Sequence, residues 1–321
     1  MFILPGHWIG DSWFFVHGGR CHAFFLTEPD TLPDEERHQH WDIGHAVSED
    51  LQSWEYLGLA LTKSEDPGAW DARNLATGSV IEWEGRFWMA YTGHMRNDPN
   101  EIQRVGLAVS DDLHDWEKCG GNPVTEPDGE IYERIGSGQR RTGHWRDPFL
   151  RIGEDGRIYH YVCARARDTA GNVRGTVAVA SSEDMRDWRL EPPLEVEPFA
   201  EELEVPQIYG IDGNWYLVFC THPNLVLPDA RAARMNHEWD STDYAMVGPS
   251  PRGPFCIRRG AGNIHEGMNS AAPRPYAGQL LQWLGHWYLI GTVMEAPRNR
   301  GPDFICDPLP VEVDPKGICL A

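Results

Sequence analysis

The chain has 321 residues, 41% hydrophobic and 24% charged, with a formal net charge of −21, which supplies a packed core and excludes wholesale disorder. No run of about 18 apolar residues offers a transmembrane helix, and Met1 to Asp11 is too short and too polar for a signal peptide. A surface this acidic repels phosphate backbones and anionic lipid, so neither nucleic acid nor membrane is an expected partner.

The seven cysteines (Cys21, Cys119, Cys163, Cys220, Cys256, Cys306 and Cys319) are scattered and form no C-x-x-C pair. They fit neither a disulfide framework nor a zinc knuckle, and a reducing cytoplasm is the expected location. Helical periodicity is absent. Short alternating runs bounded by Gly, Asp, Asn and Pro predict an all-β fold.

Five segments in chain order share one pattern, a Gly, a polar residue and an aromatic-rich strand. They are Gly19-Arg-Cys-His-Ala-Phe-Phe, Gly85-Arg-Phe-Trp-Met-Ala-Tyr, Gly156-Arg-Ile-Tyr-His-Tyr-Val, Gly213-Asn-Trp-Tyr-Leu-Val-Phe and Gly285-His-Trp-Tyr-Leu-Ile-Gly, at intervals of 66, 71, 57 and 72 residues. An apolar run precedes each Gly, so each repeat opens with a β-hairpin. A second hairpin follows in three of them: Ala46-Val-Ser-Glu-Asp-Leu-Gln-Ser-Trp54, Ala108-Val-Ser-Asp-Asp-Leu-His-Asp-Trp116 and Val179-Ala-Ser-Ser-Glu-Asp-Met-Arg-Asp-Trp188. Its Ser-x-Asp turn caps its own backbone, and the Trp anchors the outer strand. Two hairpins per repeat make four antiparallel strands. Five repeats predict a five-bladed β-propeller, one catalytic domain over residues 1–321. A β-sandwich of coincidental hairpins is the alternative. The irregular stretches Glu126 to His144 and Asn224 to Asp243 read as loops over a blade, not as domain boundaries.

The first strand of each propeller blade lines the channel. Counting back from the repeat glycines reaches Asp11, Asp147 and Glu204 in blades one, three and four, and the neighbourhoods of Thr77 and Tyr276 in blades two and five. Three carboxylates at one structural position are expected to converge on the axis. Carboxylates that converge repel, so at least one should hold its proton near neutral pH. A protonated acid beside ionised carboxylates is the equipment of glycoside hydrolysis, with a small carbohydrate as the partner. The 14 Trp agree, because flat rings stack on sugar faces. Most of them read as core, and Trp8 and Trp41 at the blade mouth are the candidates for sugar contact. The mechanism requires no metal and no cofactor. His22 and His265-Glu266 read as hydrogen-bonded structural groups.

The ordered motifs resemble glycoside hydrolase family 32, the β-fructofuranosidases, within a clan of five-bladed propeller glycosidases. Gly44-His-Ala-Val-Ser-Glu-Asp-Leu-Gln-Ser-Trp-Glu55 is similar to a first-blade motif of that family. Thr77-Gly-Ser79 with Tyr91-Thr-Gly-His94, Gly121-Asn-Pro-Val124 with Arg146-Asp-Pro148, and Glu204-Val-Pro206 follow in the family's order. The resemblance implies Asp11 as nucleophile, Asp147 as transition-state stabiliser, Glu204 as acid/base, and Arg146 and Ser79 as substrate ligands. It implies retention of anomeric configuration. The chain departs from the family at Trp8-Ile-Gly-Asp-Ser-Trp13, where Trp-Met-Asn-Asp-Pro-Asn is usual, and no C-terminal β-sandwich is expected after blade five. Other readings stay open: an inverting family 43-like arabinosidase or xylosidase, a transglycosylase, a phosphorylase using Arg140, Arg141 and Arg146, or a sugar-binding propeller without catalysis. Nothing in the sequence marks an oligomeric state.

Overall fold

The computed structural model describes residues 1–321 apart from 37, 136–143, 168–170, 235, 236, 238, 240, 241, 269–273 and 295–302. Its described strands form five antiparallel sheets arranged as a five-bladed propeller. The first strands of the sheets are His7–His17, Asn74–Trp83, Trp145–Ile152, Glu204–Ile211 and Tyr276–Trp283. Each packs on the first strand of the next sheet, and the fifth returns to the first. The ring therefore closes, which leaves the inner sheet edges short and protected around the axis.

The Ser-x-Asp turns form as their chemistry requires. Ser48 Oγ accepts the Leu51 N–H at 2.8 Å, while Asp50 Oδ1 accepts those of Gln52 and Ser53 at 2.8 and 2.6 Å. Ser110 and Asp112 repeat the arrangement in blade two. Trp116 and Trp188 then donate Nε1–H to the Leu113 and Met185 carbonyls at 2.9 and 3.3 Å, which seats the outer strand.

Blade four departs from the expected four strands. Its regular sheet has three, Glu204–Ile211, Asn214–Thr221 and Thr242–Gly248, and its outer position is held by isolated bridges from Cys256 to Val247 and from Asn263 to Tyr244. That segment carries Pro251 and Pro254, which have no N–H to give a ladder. In blade five, Leu309–Asp314 and Gly317–Leu320 fill the outer positions, and Phe304–Ile305 also pairs with the second strand. Phe2 bridges Ile305 and meets Phe25 edge-on at 5.5 Å, so the N-terminal residues tie blade five to blade one.

Apolar layers between adjacent blades hold the ring. Trp13, Phe24, Met89 and Tyr91 fill one between blades one and two, and Tyr161, Phe219 and Tyr244 lie in one between blades three and four. Most of the tryptophans belong to these layers, as the composition suggested. Of the two long loops read from the sequence, residues 136–143 and several of 235–241 lie outside the described residues. Among the described residues, no helix is long and apolar enough to cross a membrane.

Candidate active site

Every first strand carries a β-bulge near its starting end. In blade three, Arg146 pairs with Cys163 and Phe149 with Tyr161, so Asp147 and Pro148 together oppose Val162. Gly10 and Asp11 occupy the same two places in blade one, Val205 and Pro206 in blade four, and Ala277 and Gly278 in blade five. Blade two has Thr77 as its extra residue. A bulge breaks the strict alternation of a strand and lets consecutive side chains turn to one side. Asp147, Val205 and Ala277, at the first bulge place of successive blades, sit in the left-handed region at φ 61°, 48° and 57°. That conformation is costly for a residue other than glycine and is sustained by the surrounding ring.

The bulge corrects the expectation of one shared carboxylate position. Asp11 is the second bulge residue, Asp147 the first, and Glu204 the residue before the bulge. Strands and hairpin loops differ in length between blades, so counting back from the turn loses a residue or two. The three carboxylates nevertheless meet. They line one axial cavity of about 180 Å³ with Leu26, His38, Trp41, Asn74, Ala76, Thr77, His94, Gln103, Arg146, Val205 and Tyr276. That volume lies below the roughly 300–1,000 Å³ of sites for drug-sized ligands and suits a single small ring.

The floor is electrostatically strained. Burial, opposed by a hydrogen bond from Thr77 Oγ1 at 2.6 Å and reinforced by the charge of Glu204, raises Asp11 to about 6. Burial also raises Asp147 to about 7, against the pull of Arg146 and with the push of Asp11 and Glu204. Asp147 is held by its own backbone, whose N–H donates to Thr92 Oγ1 at 2.9 Å, while its Oδ2 accepts the Val205 N–H at 3.2 Å. Glu204 accepts from Arg146 Nη2 at 2.6 Å on one oxygen and from Tyr276 Oη on the other. Arg146 Nε lies 3.3 Å from Asp147. At the wall, burial, Arg73 and Arg146 lower His94 to about 4, so it is neutral at pH 7 and free to exchange hydrogen bonds with hydroxyls. Trp41 is 5% exposed and packs against the His38 ring at 5.3 Å. Gly10 permits this, since a Cβ there would meet Leu26 at 3.0 Å and the Trp41 ring at 3.3 Å.

The structure therefore brings Asp11, Asp147, Glu204, Arg146 and Trp41 together, and leaves Trp8 and Ser79 outside the cavity lining. Trp8 packs against the layer between blades one and two. Ser79 joins blade two to blade three by donating to the Pro148 carbonyl at 2.7 Å and accepting the Leu150 N–H at 2.8 Å. Ser12 and Trp13, the unusual residues after Asp11, turn into the protein: Thr292 Oγ1 lies 3.0 Å from Ser12 Oγ, and Trp13 stacks on Phe24. His22 hydrogen-bonds His45 at 3.0 Å, and His265 pairs with Asp243 at 3.1 Å, both buried. Arg140 and Arg141 lie outside the described residues.

Several cavity residues were not singled out from the sequence. Asn74, His94 and Gln103 are cross-strand partners at one end of blade two, and reading that end across three strands would have found them. Buried Glu202 stands two residues before Glu204, just ahead of the first residue of the strand.

The family model for the glycosyl hydrolases family 32 N-terminal domain matches residues 5–256. The chain belongs to that family. It is 29% identical over 223 residues to raffinose invertase from Escherichia coli, covering 67% of this chain and 42% of that one. It is 26% identical over 209 residues to sucrose-6-phosphate hydrolase from Bacillus subtilis, covering 62% of this chain and 38% of that one. The chain thus spans about two fifths of the length of these relatives. Among solved structures, inulosucrase from Halalkalicoccus jeotgali bound to kestose shares the fold, with a TM-score of 0.79, 21% identity, and coverage of 99% of this chain and 87% of that one.

Proposed function

We propose that this family 32 propeller is a retaining glycoside hydrolase that cleaves fructosides such as sucrose. The observation that carries the reading is the meeting of Asp11, Asp147, Glu204 and Arg146 around one small axial cavity, with Asp11 and Asp147 both raised toward neutrality. A sugar-binding module has no use for three acids gathered in one small cavity where they repel one another. The invertase and sucrose-6-phosphate hydrolase names of the relatives support a fructoside as the substrate.

In this mechanism Glu204 gives its proton to the glycosidic oxygen as the bond to the anomeric carbon breaks. Asp11 attacks that carbon from the opposite face and forms a covalent glycosyl-enzyme, releasing the leaving alcohol. Glu204, now a carboxylate, takes a proton from water, which displaces Asp11 and restores the starting state. Asp147 and Arg146 hold ring hydroxyls and balance charge as the oxocarbenium-like state forms. Trp41 supplies an apolar wall, and Asn74, His94 and Gln103 supply hydrogen-bonding groups. A cytoplasmic location is part of this reading, supported by seven scattered cysteines that form no C-x-x-C pair.

The test is incubation of the protein with sucrose, raffinose and sucrose 6-phosphate, alongside nitrophenyl arabinofuranoside and xyloside. NMR follows the first-formed anomer before mutarotation. Fructose released with retained configuration is the expected result. Pentose release with inversion moves the protein to a family 43-like mechanism, and no release from any substrate leaves a binding propeller.

A further inference from the structure

Arg146 holds a single positive charge among four carboxylates, and one of its nitrogens serves two of them. Nη2 donates to Glu204 Oε1 at 2.6 Å and to Glu202 Oε2 at 2.7 Å. Glu204 faces the cavity, whereas Glu202 is 2% exposed and absent from its lining, so Glu202 meets no sugar. His144, 4% exposed, lies against the far side of the pair. Its Nδ1 accepts from Arg146 Nη1, and its Nε2 stands 3.4 Å from Glu202 Oε1. An imidazole that accepts at Nδ1 is neutral and carries its proton on Nε2, where it points at Glu202. A buried carboxylate is costly unless it is paired, and Glu202 is paired with the guanidinium that also touches Glu204.

We propose that Glu202 is a positioning residue that holds Arg146 and draws off part of its charge, which weakens the pull of the guanidinium on Glu204. The inference rests on Glu204 being the proton donor. Among the described residues, the groups facing Glu204 are Arg146, Asp147 and Cys163 from blade three, Asp11 from blade one, Tyr276 from blade five, and Cys220 and Glu202 from its own blade region. Of these, Arg146 alone is cationic, so any change in how its charge is shared reaches Glu204 directly. Neutralising Glu202 removes a like charge from the neighbourhood and leaves Nη2 to Glu204 alone. Both changes favour the ionised form of Glu204. Oxygens held at 2.6 and 2.7 Å by one nitrogen lie at most about 5 Å apart, and at an effective dielectric of about 20 the expected displacement is about two pH units.

The experiment is the pH dependence of kcat/KM for wild type, Glu202→Gln and Glu202→Asp. One substrate is sucrose, and the other is a fructosyl donor with an activated leaving group. In Glu202→Gln the alkaline limb for sucrose moves down by about two pH units. The activated donor, which needs no protonation, shows no such move. Glu202→Asp retains the charge on a shorter arm and moves the limb by less, so it carries the test if Glu202→Gln does not fold. Activity that falls evenly with the limb unmoved in the folded variants overturns the proposal and leaves Glu202 a structural ion pair. A carbon-13 NMR titration of the Glu204 carboxyl in the resting protein, assigned with Glu204→Gln, decides the same point without turnover. A midpoint lower in the Glu202 variants supports charge sharing, and an unchanged midpoint overturns it. Failure of wild type to cleave any fructoside defeats the hydrolase reading alone, since the titration still reports on the shared guanidinium.

Discussion

Asp147→Asn is expected to make the protein more stable while removing its activity. The carboxyl is buried and sits at about 7 instead of the usual 3.8, pushed up first by burial. That difference corresponds to roughly 4 kcal/mol against the ionised form. A group whose folded value is raised contributes no penalty below its unfolded value, because both states are then protonated. As pH rises from about 4 to about 7, the unfolded chain ionises there while the folded protein keeps its proton, and wild type loses stability. Above that window both states are ionised and the loss is complete. The amide has no charge to bury, although it gives up the contact with Arg146 Nε at 3.3 Å. Against that loss, a net gain of about 1–3 kcal/mol is expected at pH 8, and little or none at pH 4. The assay is urea unfolding of both proteins at intervals from pH 4 to 8, with the difference in free energy plotted against pH. Curves that run parallel across this window would refute the reasoning, because the stability difference would then not arise from the ionisation of Asp147.

Thr77→Val deletes the 2.6 Å hydrogen bond that favours ionised Asp11, whose carboxyl burial raises to about 6, so the acidic limb of kcat/KM is expected to move up. A hydrogen bond to a charged group is worth about 1.5–3 kcal/mol, which makes the move about one to two pH units; an unmoved limb removes Asp11 from the rate-determining ionisation. Glu204→Gln should lower turnover of sucrose by about 10²- to 10⁴-fold yet spare bond cleavage in activated donors, and equal loss on both in a single-turnover measurement counts against Glu204 as the acid. Ser79→Ala leaves the Leu150 N–H without its partner and should cost about 1–3 kcal/mol in unfolding with KM unchanged. A raised KM at unchanged stability would return Ser79 to the sugar site.

The repeat glycines and the aromatic strands behind them were legible in the sequence because hairpin chemistry is local. A Gly at a tight turn, an alternating run and a Ser-x-Asp cap each depend on neighbours a few residues away, and five copies specify five blades. The same local reading placed Asp11, Asp147 and Glu204 at the axis, with Thr77 and Tyr276 close beside their counterparts. It could not show that each inner strand is bulged, since a bulge is a relation between two strands and leaves no mark in the spacing of one. The bulge decides which consecutive residues face the cavity, and so it separates Asp11, Asp147 and Glu204 onto three successive places. Nor could the sequence assign the polar residues that pair across blades. Ser79 lies in a family-like motif, but its hydroxyl meets blade three, 69 residues further along the chain. Glu202 reads as one acid among several, and only the folded ring sets it on the same guanidinium nitrogen as Glu204. Burial and charge act through distances that ring closure alone creates, which is why the proton affinities of the axial carboxylates belong to the tertiary structure.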